Sequence, residues 1–456
     1  MARAGGTPPG VRRSGGALTR LLHRLVDVRP GEVRALLWSC TYFFCVLAAY
    51  YVLRPIRDEM GIAGGVRNLP WLFTGTLVGM LIAHPPFAAL VSRLPRVRFV
   101  SITYRFFMAN ILLFYALLRL LPESQTIWVG RAFFIWVSVF NLFVVSVFWA
   151  FMVDLFSVEQ GKRLFGFIGV GGTLGAVAGS AFTAVLVARI QPVYLLLGSV
   201  LLLEVAVLSV RRLSALPQMT SRAASPKEDP GEPIGGRVLA GVSHVFRSPY
   251  LLGIVAYMLL YTITATFLYF QQAEIVERVF EGRAARTGFF ARIDLLVNVL
   301  TLGTQVFLTG RIIKLLGVGV TLALLPLLCM VGFTGLGLVG FAGLGLAPAV
   351  GVLVTFQVLR RAGNFSLARP ARETLYTVVS REDKYKAKNF IDTFVYRGGD
   401  QIGAWSYAAM GWIGLTMTGI AFAAVPLAGV WLLVALWLGR KQTVIARATV
   451  PEGITR

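Results

Sequence analysis

Apolar runs of bilayer-spanning length recur from one end of this chain to the other. A membrane-crossing helix needs roughly 20 mostly apolar residues, and twelve stretches fit that pattern. The first six fall near residues 35–53, 68–92, 99–121, 127–155, 164–188 and 193–210. The second six fall near 250–272, 288–310, 316–341, 348–378, 390–410 and 412–437. Between the sets lies one long hydrophilic break, 211–249, which reads as a linker. The pattern predicts an all-α integral membrane protein: twelve transmembrane helices in two six-helix halves, 35–210 and 250–437. A basic segment, 1–34, precedes them and a short tail, 438–456, follows.

Composition removes the soluble alternatives. Hydrophobic residues make up 56% of the chain and charged ones 14%, against about 25% charged in a soluble domain. Three cysteines and three histidines lie scattered, which excludes a disulfide framework and argues against a metal site. No cofactor is expected. The glycine-rich stretch 166–179 lacks the following Lys-Ser/Thr and the preceding strand of a phosphate-cradling loop. It reads instead as small residues packing one membrane helix on another. His84 stands alone before Pro85-Pro86, and Cys40 and Cys45 read as apolar filler. No nucleophile–base pattern stands out, so an enzyme is not expected.

A net charge of +23 would suggest nucleic acid in a soluble protein. Its distribution gives a different answer. With both termini placed inside, 28 of the 44 Lys and Arg residues fall in inner segments and nine in outer ones. That is the positive-inside bias. It predicts a multi-pass protein of the bacterial inner membrane with cytosolic termini, partnered by the lipid bilayer and not by nucleic acid. A monomer is expected. Segment 1–34 has neither an apolar core nor a small-residue cleavage site of its own, so it is not a signal peptide.

The halves echo each other at a shift of about 220 residues. Ser92-Arg93-Leu94-Pro95-Arg96 follows the second run, and Gly310-Arg311-Ile312-Ile313-Lys314 follows the eighth. SVEQGKRLFGF begins at Ser157 after the fourth, and SREDKYKAKNF at Ser380 after the tenth. Internal repeats of this kind mark transporters in which one half rocks against the other.

Ionisable residues inside a span are costly and functional by default. The tenth run is densest: Gln357, Arg361, Asn364 and Arg372 keep roughly to one helix face, flanked by Arg360 and Arg369, with Glu373 the only nearby acid. So much positive charge calls for an anionic partner, although Arg369 and Arg372 lie near enough to the cytosolic end to snorkel. In the first run Pro55 predicts a helix break, with Arg54, Arg57, Asp58 and Glu59 beside it. That break reads either as a half-helix end lining a cavity or as a neutralised outer loop. The eighth run carries Asp294, Asn298, Thr301 and Gln305 on one face, lining a pathway or sealing the halves by hydrogen bonds.

Three segments carry a family likeness: LRPIRDEMG (53–61), VVSVFWAFMVDLFSVEQGKRLFGFIGVGG (144–172) and RPARETLYTVVSREDKYKAKNFIDTFVYRGGD (369–400). In order along the chain they resemble the nucleotide exchange carriers, the ATP/ADP translocases of plastids and obligate intracellular bacteria. The resemblance implies a major-facilitator-like fold and a nucleotide substrate. Where that family has lysines in its first- and tenth-helix motifs, this chain has Arg57 and Arg372. Where it has an acid in helix four, the nearest polar residue here is Asn141; helix seven offers no acid before Glu274.

Together these readings predict alternating-access transport of a small anionic solute, nucleotide-like or another phosphate or carboxylate compound, with exchange as one mode that fits. Expected substrate contacts are Arg54, Arg57, Asn141, Gln357, Arg360, Arg361, Asn364, Arg369, Arg372 and Glu373; expected coupling residues are Asp58, Asp294 and Asn298. The alternatives are a proton-coupled exporter of amphipathic compounds, with Asp294 as its proton carrier, and a non-transporting membrane partner or lipid-handling protein.

Overall fold

A computed structural model describes residues 28–216, 245–246, 248–379, 387–388 and 390–449. Most of the basic N-terminal segment, most of the linker and residues 380–386 of the second basic loop lie outside them. Among the described residues there is no strand. The helices of the first half are α1 (Val33–Ala63), α2 (Leu69–Arg93), α3 (Arg96–Leu120), α4 (Glu123–Leu155), α5 (Val158–Leu186) and α6 (Pro192–Ser214). The second half brings α7 (Pro249–Val279), α8 (Arg283–Phe307) and α9 (Thr309–Phe341). Then α10 runs Leu346–Gly363, passes through a π-helical segment, Asn364–Ala368, and resumes over Arg369–Leu375. A second π-helical segment, Ile391–Val395, leads into α11 (Tyr396–Trp412), and α12 (Met417–Thr449) closes the described chain.

These twelve helices stand where the apolar runs predict them, with two corrections. Ten are long and apolar enough to cross a membrane; α10 and α11 are not. Arginines lower the apolarity of α10, and π-helical turns interrupt both. The second correction concerns Pro55. It does not break α1, which continues unbroken to Ala63. Tight packing holds the helix through the lost hydrogen bond, as neighbouring helices do in membrane bundles. Arg54, Arg57, Asp58 and Glu59 therefore lie within the bundle and not in an outer loop.

Packing follows residue size. Gly171, Gly172, Gly175 and Gly179 let α5 lie directly on the backbone of α1, so close that a methyl group on Gly175 would overlap the Phe44 carbonyl. The glycine-rich stretch is thus a helix contact, as its composition predicts. A buried relay then ties three helices: Tyr42 donates to the Tyr104 hydroxyl at 2.8 Å, and Tyr104 donates to the Val144 carbonyl at 3.0 Å. One apolar core belongs to the first half. The other fills the second half and takes in Ile62, Val66, Leu69, Leu72 and Phe134 from the first. The halves meet where α8 packs on α5 and α1, and where α11 packs on α2.

Candidate functional site

Asp294 of α8 sits at the centre of the junction between halves. Its carboxylate is 2% exposed, and its Oδ1 accepts from Arg54 of α1 at 3.0 Å and from Arg361 of α10 at 2.7 Å. One oxygen therefore holds one arginine from each half. Its Oδ2 has no hydrogen-bond partner, nor does Nη2 of Arg361. Four residues along α8, Asn298 donates to Ser180 of α5 at 3.4 Å. Between the two readings of the α8 stripe, the contacts favour sealing of the halves.

One turn beyond Arg54, Arg57 and Asp58 form a second crossing. Arg57 donates to Asp58 at 3.2 Å and lays its guanidinium 4.0 Å from the Phe134 ring. Tyr269, from α7 of the other half, donates to the same Asp58 oxygen at 3.1 Å. Arg57 also borders a cavity of about 40 Å³ lined by Ser138, Arg397, Asp400 and Gln401. Further along α1, the buried Glu59 faces Arg283 at the start of α8 across 3.9 Å. Thr74 accepts from Trp405 at 3.1 Å and donates to Gln401 at 2.9 Å. Among the described residues, the polar contacts between halves lie near mid-span or toward the ends expected to face outward.

The π-helical segment explains the placing of the α10 residues. Gln357, Arg360, Arg361 and Asn364 are all buried before or at its start. The i→i+5 turns change the helical register between these residues and Arg372. Carbonyls loosened by the π turns are taken up by α8 and the start of α9: Gln305 donates to Phe365 at 3.3 Å and Thr309 to Ser366 at 2.8 Å. Beyond the segment, Arg372 stands 3.7 Å from Asp392 and against the Met258 sulfur. Glu373 pairs with Lys388 at 2.5 Å, and Arg369 is exposed. Asn141 joins none of these groups. It is half-buried on α4 without a hydrogen bond among the described residues.

Arg360 differs from the rest. It is 6% exposed, it has no carboxylate within ion-pair distance among the described residues, and its Nε and Nη1 are buried without partners. Its nearest aromatic neighbour is Tyr261 of α7, with the guanidinium 5.9 Å from the ring centre. One turn earlier, Gln357 donates to Gln272 of α7 and leaves its own Oε1 unpartnered. The result is a buried corner of α7 and α10 with permanent positive charge and unused hydrogen-bonding capacity.

Reasoning from sequence missed Tyr269, Gln272, Arg397 and Asp400. The last two are an i,i+3 pair at 3.3 Å on a run expected to span the membrane, a spacing that marks them in retrospect. A cavity of about 1160 Å³ holds none of the expected site residues. It opens at the other end of the second half, between Arg67, Gln271, Glu274, Tyr407 and Trp412. The arginine groups are the better candidate, because there the charge is unmatched; in the large cavity Glu274 is already bonded to Tyr407 at 2.8 Å and faces Arg278 at 3.6 Å.

Solved structures share this architecture along nearly its whole length. A bacterial homologue of the iron transporter ferroportin in an inward-facing state has TM-score 0.62 at 15% identity, covering 91% of this chain and 98% of that one. A POT family transporter in complex with 5-aminolevulinic acid gives 0.62 at 11%, covering 90% and 96%. This chain has the fold of major-facilitator-like membrane transporters. The nucleoside transporter NupG follows at 0.61 and 10%, covering 91% and 99%. At the level of sequence, ADP,ATP carrier protein 2 of Chlamydia pneumoniae is 24% identical over 215 residues. That alignment spans 43% of this chain and 40% of the carrier. No protein-family model matches the chain.

Proposed function

We propose that this multi-pass membrane protein is an alternating-access transporter of a small anionic solute, bound by the arginines of α1 and α10. The observation that carries the reading is Arg360. A guanidinium stays charged at any physiological pH, and burying it with unpartnered donors costs several kcal/mol. A ligand that supplies a negative charge and acceptor oxygens removes that cost. Guanidinium groups bind phosphate or carboxylate with two parallel hydrogen bonds, so the solute carries one or both of these groups. Gln272, Gln357 and Tyr261 stand ready for its uncharged part. The family likeness of segments 53–61, 144–172 and 369–400, with the similarity to an ADP,ATP carrier, favours a nucleotide-like compound.

The same groups supply a mechanism. In the expected orientation, with cytosolic termini, contacts between the halves hold them together near mid-span and toward the outer side. Opening outward separates Arg54 from Asp294. In the empty protein that leaves Arg54 with Asp58 alone, at 4.0 Å, in place of its closer counter-ion, and the switch is slow. An anion lodged between Arg54 and Arg361 takes over from Asp294, so the loaded protein crosses readily. Exchange of one anion for another follows. It also avoids working against the membrane potential, which opposes anion entry by about 2.3 kcal/mol per charge per 100 mV. Asp294, engaged by two arginines, is poorly placed to serve as the proton carrier of an exporter.

Proteoliposomes preloaded with unlabelled nucleotide, or left empty, test the reading. Labelled nucleotide is expected to enter only the preloaded vesicles. Equal entry into both at zero potential and without a pH gradient contradicts exchange, and entry of none among nucleotides, sugar phosphates and dicarboxylates contradicts the anion site.

A further inference from the structure

The seam of α9 and α12 carries positive charge that no acidic residue among the described residues pairs with. Neither helix contains an acidic residue anywhere along its length. At one end of the seam lie Arg311 and Lys314 from α9 and Arg440 and Lys441 from α12, all four exposed. None makes an ion pair or side-chain hydrogen bond among the described residues. A bend in α9 gathers them. Gly317 has φ +73°, a left-handed conformation that glycine adopts without strain, and it sets Thr309–Leu316 off from the rest of the helix. Just past the bend the helices touch backbone to backbone: a methyl group on Gly319 would lie 3.0 Å from the Cα of Gly439. This close approach brings Arg440 and Lys441 beside the bent segment. On the membrane side of the cations the surface is apolar, with Leu316 45%, Val320 45% and Leu433 66% exposed.

The first half distributes its charge differently. There Arg96 pairs with Asp154, Arg105 with Glu204 at 3.0 Å and Arg163 with Glu32 at 3.0 Å. Exposed arginines without an ion pair among the described residues, such as Arg34, Arg98, Arg211 and Arg212, are spread over three helices. At the α9–α12 seam four such cations lie together, and no acid among the described residues complements them. We infer that this seam is a binding site for an anionic phospholipid, its phosphate held by Arg311, Lys314, Arg440 and Lys441 and its acyl chains lying along the exposed leucine and valine side chains. In the expected orientation this is a lipid of the inner leaflet. Juxtamembrane basic residues attract such headgroups, and those between helices hold them in place. The inference does not depend on which solute the protein moves.

The test uses the full-length protein in nanodiscs of equal parts phosphatidylglycerol and phosphatidylcholine, followed by native mass spectrometry of the lipids retained after detergent extraction. Wild type is expected to keep phosphatidylglycerol selectively. The variant R311Q/K314Q/R440Q/K441Q is expected to lose that selectivity by roughly ten-fold. A control variant with the same charge change in the first half, R34Q/R98Q/R211Q/R212Q, is expected to stay within about two-fold of wild type. In wild type itself, molar salt releases the lipid and millimolar inorganic phosphate does not. Equal loss of selectivity in both variants, no loss in the first, or displacement by phosphate alone overturns the assignment.

Discussion

Helices α4 and α10 hold equivalent places in the two halves and are built on opposite principles. Between Arg131 and Asp154, α4 has no ionisable side chain. Its buried face is Phe133, Val137, Phe140, Val144, Phe148 and Phe151 at helical spacing, and the helix is unbroken. By contrast α10 places Gln357, Arg360, Arg361 and Asn364 within eight residues and then passes into π-helical turns. α10 and the carboxylate facing it leave six buried polar atoms unpartnered among the described residues: Gln357 Oε1, Arg360 Nε and Nη1, Arg361 Nη2, Arg372 Nε and Asp294 Oδ2. The difference separates two jobs. Along its apolar face α4 is a packed wall, with Arg131 Nε and Trp136 Nε1 its unpartnered buried atoms, while α10 keeps a cluster of charged and amide groups incompletely satisfied, at a cost in stability that a ligand can remove. π-Helical turns commonly sit at functional sites, and here they occur in the second half, where the charge is.

If that division is right, the largest effect on folding comes from the packed first half. Gly175→Leu drives a side chain into the Phe44 carbonyl, a clash with backbone that has no room to relax. Folded protein recovered from membranes is expected to fall several-fold, from a destabilisation of about 3 kcal/mol or more. Gly351→Ala in α10, where the added methyl meets open space, is the counterpart and should change recovery little. Comparable losses from both would dissolve the distinction between the halves.

Next in size is Asp294→Asn. Removing the carboxylate between Arg54 and Arg361 leaves Arg361 buried with no counter-ion and Arg54 with Asp58 alone, at 4.0 Å, a loss worth about 3–5 kcal/mol of stability. In vesicles, the preference for preloaded over empty compartments should shrink toward unity, because the contact that restrains the empty protein is gone. A variant that folds and still exchanges strictly would show that Asp294 takes no part in coupling.

The smallest effect belongs to Glu32, at the entrance to the first half. Burial alone would raise its pKa, but hydrogen bonds from Gln160, the Arg29 backbone and Arg163 outweigh this and hold it below the usual glutamate value. A lowered folded-state pKa contributes stability above the unfolded-state value of about 4.3, and the contribution is lost as pH falls through the folded value. Glu32→Gln is thus expected to lower Tm by only about 1–3 °C at pH 7. It should also flatten the decline of Tm below pH 4. An unchanged acid limb would mean that the pairing contributes nothing.

Much of this architecture is legible in the chain because lipid admits so few solutions: apolar runs announce helices, and the run of glycines on α5 announces a close contact. The breaks are less legible. Pro55 looks like a stop, yet tertiary packing carries α1 through it, whereas the lone Gly363 gives no warning of the π-helical turns that follow it. Of the candidate site, the arginines and Asp294 declare themselves by being charged where charge is expensive. Their pairing does not. That Asp294 reaches Arg54 across 240 positions of sequence, while Arg360 reaches no carboxylate, is a property of the assembled bundle.

The measurement that bears most directly on the division is the thermal stability of Arg360→Met, read alongside its transport. If Arg360 is an unmatched charge kept for an anion, methionine fills its space without its desolvation cost. Tm should then hold or rise by a few degrees, nucleotide-dependent stabilisation should vanish, and exchange should drop by at least about 100-fold, as expected when a buried charge–ligand pairing is removed. A Tm that falls by many degrees while exchange persists would mean that Arg360 is a structural residue, and the account of the second half would be wrong.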